Sequence, residues 1–324
     1  MKLPSALGLL LAVSLHAAPA VGTELSFTFV SNKGTNDNNS SCLDTSPCLT
    51  IRHAHDVSIN GGVIKCLDSY WSALPIVITK SITIDCTGHN TVIIPGIDAF
   101  AIMVDVAPAN AVVVLRGLNI VGFFSSDSSI GVHFKRGGQL HVENSKITGF
   151  ANSAVGAGIY FTPSDAAKLS VVDSTISVNG NAATGGGIIV KPTGSGSARV
   201  ALTRVNVANN TFGIAADGTG STAGINMTIA DSTMSGNLQD GIIAVTPGGG
   251  APIGVMVKNT RSVNNNIGIR SIGPNVTVRV DNSTVTGNGT GLSSSGGGAL
   301  LTFGNNTVQA NGASGAFSGA VTLQ

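Results

Sequence analysis

The chain has 324 residues, 42% of them hydrophobic and 10% charged, with a formal net charge of +1. This balance excludes a disordered chain, which needs low hydrophobicity and high charge. It also excludes a nucleic-acid binder that works through a basic stripe. Glycine is abundant, at 43 residues, but has no collagen period.

Residues 1–20 have the form of a secretory signal peptide. Lys2 gives the positive start, Ala6 to Leu15 the apolar stretch, and Ala18-Pro19-Ala20 a small-residue cleavage site. Cleavage near Ala20 predicts a secreted or periplasmic protein. The apolar run is too short for a membrane anchor, and no later segment is apolar enough to span a bilayer. No transmembrane anchor is therefore expected.

Residues 21–62 read as a strand at 25–31, a polar loop at 33–48 and a short capping helix. Leu49, Ile51, His55 and Val57 line one side of that helix, which would cover the open end of a stack. Cys42 and Cys48, six apart in the loop, suit a loop-closing disulfide. Cys66 and Cys86 lie 20 apart and are either a second bridge or a buried free pair. No Cys/His spacing matches a zinc site, so neither metal nor cofactor is expected.

Strands at 63–67, 76–79, 81–86 and 91–94 begin the array, which is counted most clearly from about 112 to 312. Polar anchors recur at Asn144, Asp173, Arg204, Asp231, Asn259, Asn282 and Asn305, with Gly117 in the same slot upstream. Apolar residues fall four and two positions before each anchor. The outer column runs from Val113 through Val278 to Leu301, and the inner one from Leu115 through Val280 to Phe303. Such alternation marks strands with one buried face. Three positions past the anchor the column is again apolar, except at Ser262.

Six positions past the anchor stand Phe123, Phe150, Asn179, Asn210, Asn237, Asn265, Asn288 and Asn311. Stacked asparagines can bond the coils above and below and so satisfy buried turn amides. A second strand then opens with glycine and an apolar residue, from Gly131-Val132 to Gly291-Leu292. A fixed glycine there suggests a backbone angle that other residues tolerate poorly. Arg116 beside Glu143, and Lys258 beside Asp281, read as structural charge pairs between neighbouring coils. The period of 23 to 31 residues predicts an all-β fold. It is a right-handed parallel β-helix of about ten coils over 63–312, capped by the short helix and by residues 313–324.

The segments VIKCLD, ITKSITIDC, GSGSARVALTRVNV, GGGAPIGVMV and NSTVTGNGTGL are similar to exported right-handed parallel β-helix repeat proteins. These resemble the pectin lyase-like superfamily in architecture. The resemblance covers nearly all of the mature chain. It implies the fold but no single activity, because relatives include lyases, hydrolases, adhesins and tail-spike proteins.

An enzyme of this kind needs clustered carboxylates or a cation base. The acids are scattered, with no NTD motif, no Asp-Asp pair and no Gly-His-Gly. The richest polar segment is GVHFKRGGQLHVEN. Alternation turns His133, Lys135, His141 and Glu143 outward as catalytic candidates, with Arg136 at the turn and Tyr160 one coil on. Arg136, Tyr160, Tyr70 and Trp71 are the candidate ligand-binding residues, because aromatic faces stack on sugar rings. The same residues also suit a solvated strand face and a loop plug. Hydroxyl pairs such as Thr175/Ser177 and Thr233/Ser235 suggest a lattice-binding face, interrupted by Asn206/Ala208 and Arg261/Val263. The leading expectation is non-catalytic binding of a polysaccharide or cell-surface glycan. The alternative is a polysaccharide lyase or glycoside hydrolase.

Overall fold

The computed structural model describes residues 25–35, 41–72, 75–95, 100–122, 129–151, 155–181 and 185–322. The expected signal peptide, Phe123 and Leu323 lie outside the described residues. Each turn of the chain lays one strand in each of three parallel sheets. Sheet 1 has 12 strands, from Leu25–Thr35 to Gly319–Ala320. Sheet 2 has 10, from Trp71–Ser72 to Thr307–Gln309, and sheet 3 has 9, from Ile76–Ile78 to Thr290–Ser295. This is the all-β parallel solenoid that the periodicity requires. Eight turns run from Val112–Arg116 to Thr307–Gln309, preceded by less regular rounds that start at Ser58–Cys66 and Ile82–Asp85.

The alternating apolar columns form the core. Val113, Leu140, Leu169, Leu115, Val142 and Val171 are buried, as are Ile147 and Ile176 in sheet 2. Ser262, the polar exception, is buried too, and its hydroxyl donates to the Gly268 carbonyl at 2.8 Å. The final turn departs from the expected register. Val278 pairs with Leu300, not Leu301, and Val280 with Thr302, not Phe303. An extra residue at Gly304, with φ +89°, absorbs the slip before the anchor Asn305.

The corners explain the repeat. Every described anchor from Gly117 to Asn282 has a left-handed backbone, with φ between 43° and 68°. Gly, Asn and Asp tolerate that region best. The residue after most anchors is Ser or Thr, and these hydroxyls form a second ladder. Leu118, Ser145, Val205 and Thr260 donate backbone N–H to Ser145, Ser174, Ser232 and Ser283 in the next coil, at 3.1 or 3.2 Å.

The asparagine ladder occupies the corner between sheets 2 and 3. Asn210 shows the pattern. Its Oδ1 accepts from the backbone N–H of Asn179 at 3.0 Å and from Asn179 Nδ2 at 2.9 Å. Its own Nδ2 donates to Asn237 Oδ1 at 3.1 Å and to the Ile176 carbonyl at 3.2 Å. The pattern continues to Asn311. Phe150 fills the slot before Asn179 and donates its N–H to Asn179 Oδ1 at 3.1 Å.

The glycines that open each sheet 3 strand correct an expectation. None of Gly131, Gly158, Gly187, Gly213, Gly241, Gly268 or Gly291 has a left-handed φ. Space, not backbone angle, selects them. A Cβ on Gly158 would stand 2.7 Å from the Gly187 carbonyl oxygen and 3.0 Å from Asn179 Nδ2. The side chain is excluded by the ladder and the next coil together.

The helix Ile51–Val57 caps the first turns. Thr50 caps its N-terminus and accepts from the His53 N–H at 3.1 Å. Ile51, Ala54 and His55 are the buried residues, while Leu49 stands before the helix and is exposed. His55 Nε2 accepts from the Thr79 N–H at 3.3 Å, and burial holds the imidazole below its ordinary pKa. Cys42 is bonded to Cys48, and Cys66 to Cys86, which resolves the second pair as a bridge.

Candidate ligand-binding site

The segment around His133 is divided by the turn at Gly137-Gly138. His133 and Lys135 lie in sheet 3, in Ile130–Arg136, whereas His141 and Glu143 lie in sheet 1, in Gln139–Glu143. The four candidates therefore face outward from two different sheets. Glu143 is held at 2.7 Å by Arg116, which also reaches Asp85 at 3.6 Å. With Lys65 at 3.2 Å from Asp85, these residues make a charge column across four coils. Lys258 and Asp281 pair at 3.7 Å as expected. Arg136 is paired with Asp105 at 2.8 Å.

His133 sits beside Tyr160 in the next coil, with ring centroids 5.2 Å apart, and its Nε2 lies 3.1 Å from the Thr162 hydroxyl. Burial and the charge of Lys135 push its pKa down to about 4. The folded state thus favours the neutral ring. Its contribution to stability is complete above the unfolded value of 6.5 and is lost as pH falls toward about 4. His133→Gln is expected to lose less stability than the parent on acidification, read as urea midpoints near pH ~7.5 and ~4.5. Equal losses would show that the histidine does not titrate in this window.

Tyr70 and Trp71 separate in the structure. Tyr70 is buried under the cap, where burial raises its pKa and its phenol bonds Ser72 and the Ile51 backbone. Trp71 is 63% exposed on sheet 2, over a shallow groove lined by Asn32, Asn90 and Val92. Of this pair, only Trp71 can offer a ring face to a ligand. The closest cluster of metal-ligating residue types among the described residues is Cys42, Cys48 and His53. The disulfide removes both thiolates from it.

A concavity with cations and amides set among apolar side chains lies on sheet 1. A groove of ≈490 Å³ is lined by Gln139, His141, Lys168, Arg199, Asn226 and Arg279, among others. Two outward columns build it. One passes from Gln139 through Lys168 and Arg199 to Asn226; the other runs from His141 through Ser170, Ala201, Thr228 and Met256 to Arg279. At about 4.8 Å per coil the second column spans roughly 24 Å. No carboxylate lines this groove.

Lys168 and Arg199 are directly in register. Like charges so placed are mildly destabilising. Elsewhere cations meet carboxylates in the adjoining coil, as at Arg204–Asp173 and Lys191–Asp217. The repeat anchors and His141 stand out in the sequence, whereas Lys168, Arg199 and Arg279 do not. The signal was nevertheless there, since Lys168, Arg199 and Arg279 each immediately precede or follow a core residue of the outer column.

A right-handed β-helix family model matches residues 130–311, more than half of the chain. The chain therefore belongs to the family described as "Right handed beta helix region". Among solved structures it is similar to pectate lyase Pel9A, at 13% identity and a TM-score of 0.51. The match covers 92% of this chain and 78% of that one. The Dettilon tailspike protein matches at 15% identity and a TM-score of 0.40, covering 79% of this chain and 56% of that one. These likenesses concern the fold. No curated protein matches. No helix among the described residues is long and apolar enough to cross a membrane.

Proposed function

We propose that the protein is exported and binds an acidic polysaccharide along sheet 1 without cleaving it. The observation that carries this reading is the in-register pair Lys168 and Arg199, in a groove that holds cations and amides among apolar side chains but no carboxylate. A polyanion lying along the groove would relieve the like-charge contact and meet His141 at one end and Arg279 at the other. Gln139 and Asn226 offer amides to its hydroxyls. Two disulfides suit an oxidising compartment, which agrees with export.

A lyase reading draws on His141 and the neighbouring cations as bases. A hydrolase needs a pair of carboxylates, and the groove supplies none. The deciding experiment incubates the purified chain with acidic and neutral polysaccharides. Retention, new reducing ends and unsaturated-uronate absorbance are read together. The expected result is retention of acidic polymers without product. Lys168→Gln with Arg199→Gln is expected to weaken retention about tenfold or more, because it removes two positive charges from the groove. Product formation that His141→Ala abolishes would replace binding with cleavage.

A further inference from the structure

The outer face of sheet 3 carries a second hydrophobic cluster, separate from the core. In register along the solenoid axis stand His133, Tyr160, Ile189, Ala215, Ile243 and Arg270. Outward positions on a solenoid normally face water and are polar. Here Ile189, Ala215 and Ile243 are each 8% exposed, because they floor a groove of ≈350 Å³. Phe212 and Val155 stand on one side of it, and Lys191, Asp217 and Val245 on the other.

We propose that this groove binds one linear acyl chain of a free medium-chain fatty acid, with its carboxylate toward Arg270. Three features select this occupant. The floor contributes only carbon atoms, so a sugar would leave its hydroxyls unpaired there. The groove is one residue column wide and walled on both sides, which admits a single chain and excludes the flat face of a second copy. Tyr160 to Ile243 spans three coil intervals, roughly 14 Å, the reach of about ten to twelve extended carbons. Arg270 follows Ile243 in the same column and places a cation where the apolar floor ends. Its guanidinium NH2 is held by the buried Asp240, and the side chain stays 25% exposed just beyond the residues that line the groove. A carboxylate at that end would meet a positive partner that is already oriented.

The test is calorimetric titration of the full chain with sodium decanoate, and with decyltrimethylammonium as a chain of equal length and opposite charge. Saturable binding of one decanoate is expected, with the cationic amphiphile about tenfold weaker. Ala215→Phe fills the groove and is expected to abolish binding. Ile243→Ser removes part of the floor without adding bulk and is expected to weaken binding about tenfold. Ala208→Phe, outward on sheet 2, is expected to bind as the parent does. Far-ultraviolet circular dichroism checks that each variant is folded. Absence of saturable binding by the parent would overturn the proposal, as would equal binding by Ala215→Phe and Ala208→Phe. Equal affinity for the two amphiphiles would overturn the placement of the carboxylate at Arg270. Polysaccharide retention is read separately on sheet 1 variants, so failure of either reading leaves the other intact.

Discussion

Asn237→Ala is expected to lower the unfolding free energy by about 3–5 kcal/mol, close to the whole margin of many domains. Asn237 sits in the middle of the ladder and is 2% exposed. Its Oδ1 accepts from the Asn210 backbone N–H at 3.0 Å and from Asn210 Nδ2 at 3.1 Å. Its Nδ2 donates to Asn265 Oδ1 at 2.8 Å and to the Val207 carbonyl at 3.3 Å. Alanine removes all four bonds and leaves partners in two neighbouring coils unsatisfied, each at a cost of about 1–3 kcal/mol. Asn206→Ala, outward on sheet 2, is expected to stay within about 0.5 kcal/mol. Urea unfolding of the two variants checks the difference.

Asn237→Asp separates hydrogen bonding from volume. It keeps the acceptor for Asn210 but turns a carboxylate oxygen toward the Val207 carbonyl and Asn265 Oδ1. It should be about as damaging as alanine at neutral pH and recover part of the loss on acidification, once the carboxyl can donate. If alanine and aspartate were both harmless, the ladder would be a by-product of Asn-rich turns and not a source of stability.

The sequence carried the solenoid because the solenoid is a one-dimensional pattern. Alternation at two residues and recurrence at 23 to 31 residues are both local in the chain, and each turn contacts its neighbours in the same way. Asn179 to Asn311 announced themselves for that reason. The glycines were legible as positions but not as causes. A recurring glycine suggests a backbone angle, and only the packing of neighbouring coils shows that Asn179 Nδ2 and the Gly187 carbonyl occupy the space beside Gly158.

The site was less legible. His133, Lys135, His141 and Glu143 are close in sequence, and sequence closeness suggested a shared face. A turn at Gly137-Gly138 puts them on two sheets, and nothing in the residue types marks the angle of that turn. Lys168 and Arg199 are 31 residues apart and become neighbours only when the register of sheet 1 is fixed. Trp71 and Tyr70 show the same limit at shorter range. Alternation says that adjacent side chains point oppositely, but only the cap decides which one is covered.

Gly213→Ala is expected to destabilise by about 2–4 kcal/mol, the second largest effect foreseen for a single residue here. Gly213 has an ordinary φ, so alanine meets no backbone strain. Its Cβ would stand 2.4 Å from the Gly241 carbonyl oxygen and 3.0 Å from Asn237 Nδ2. The first neighbour is backbone in a paired strand, and the second is a ladder amide with its bonds already made. Neither can move without opening the ladder or the sheet. Gly248→Ala is the matched comparison, because a Cβ there meets nothing within 4 Å. It should be neutral or slightly stabilising through the unfolded chain. Combining Gly213→Ala with Asn237→Ala tests the cause. The two sites share an amide, so the double variant should lose less than the sum of the singles. Strict additivity would place the damage entirely on the Gly241 carbonyl. A Gly213→Ala as mild as Gly248→Ala would mean that the coils can spread by several tenths of an ångström, and that the glycine column does not set the coil spacing.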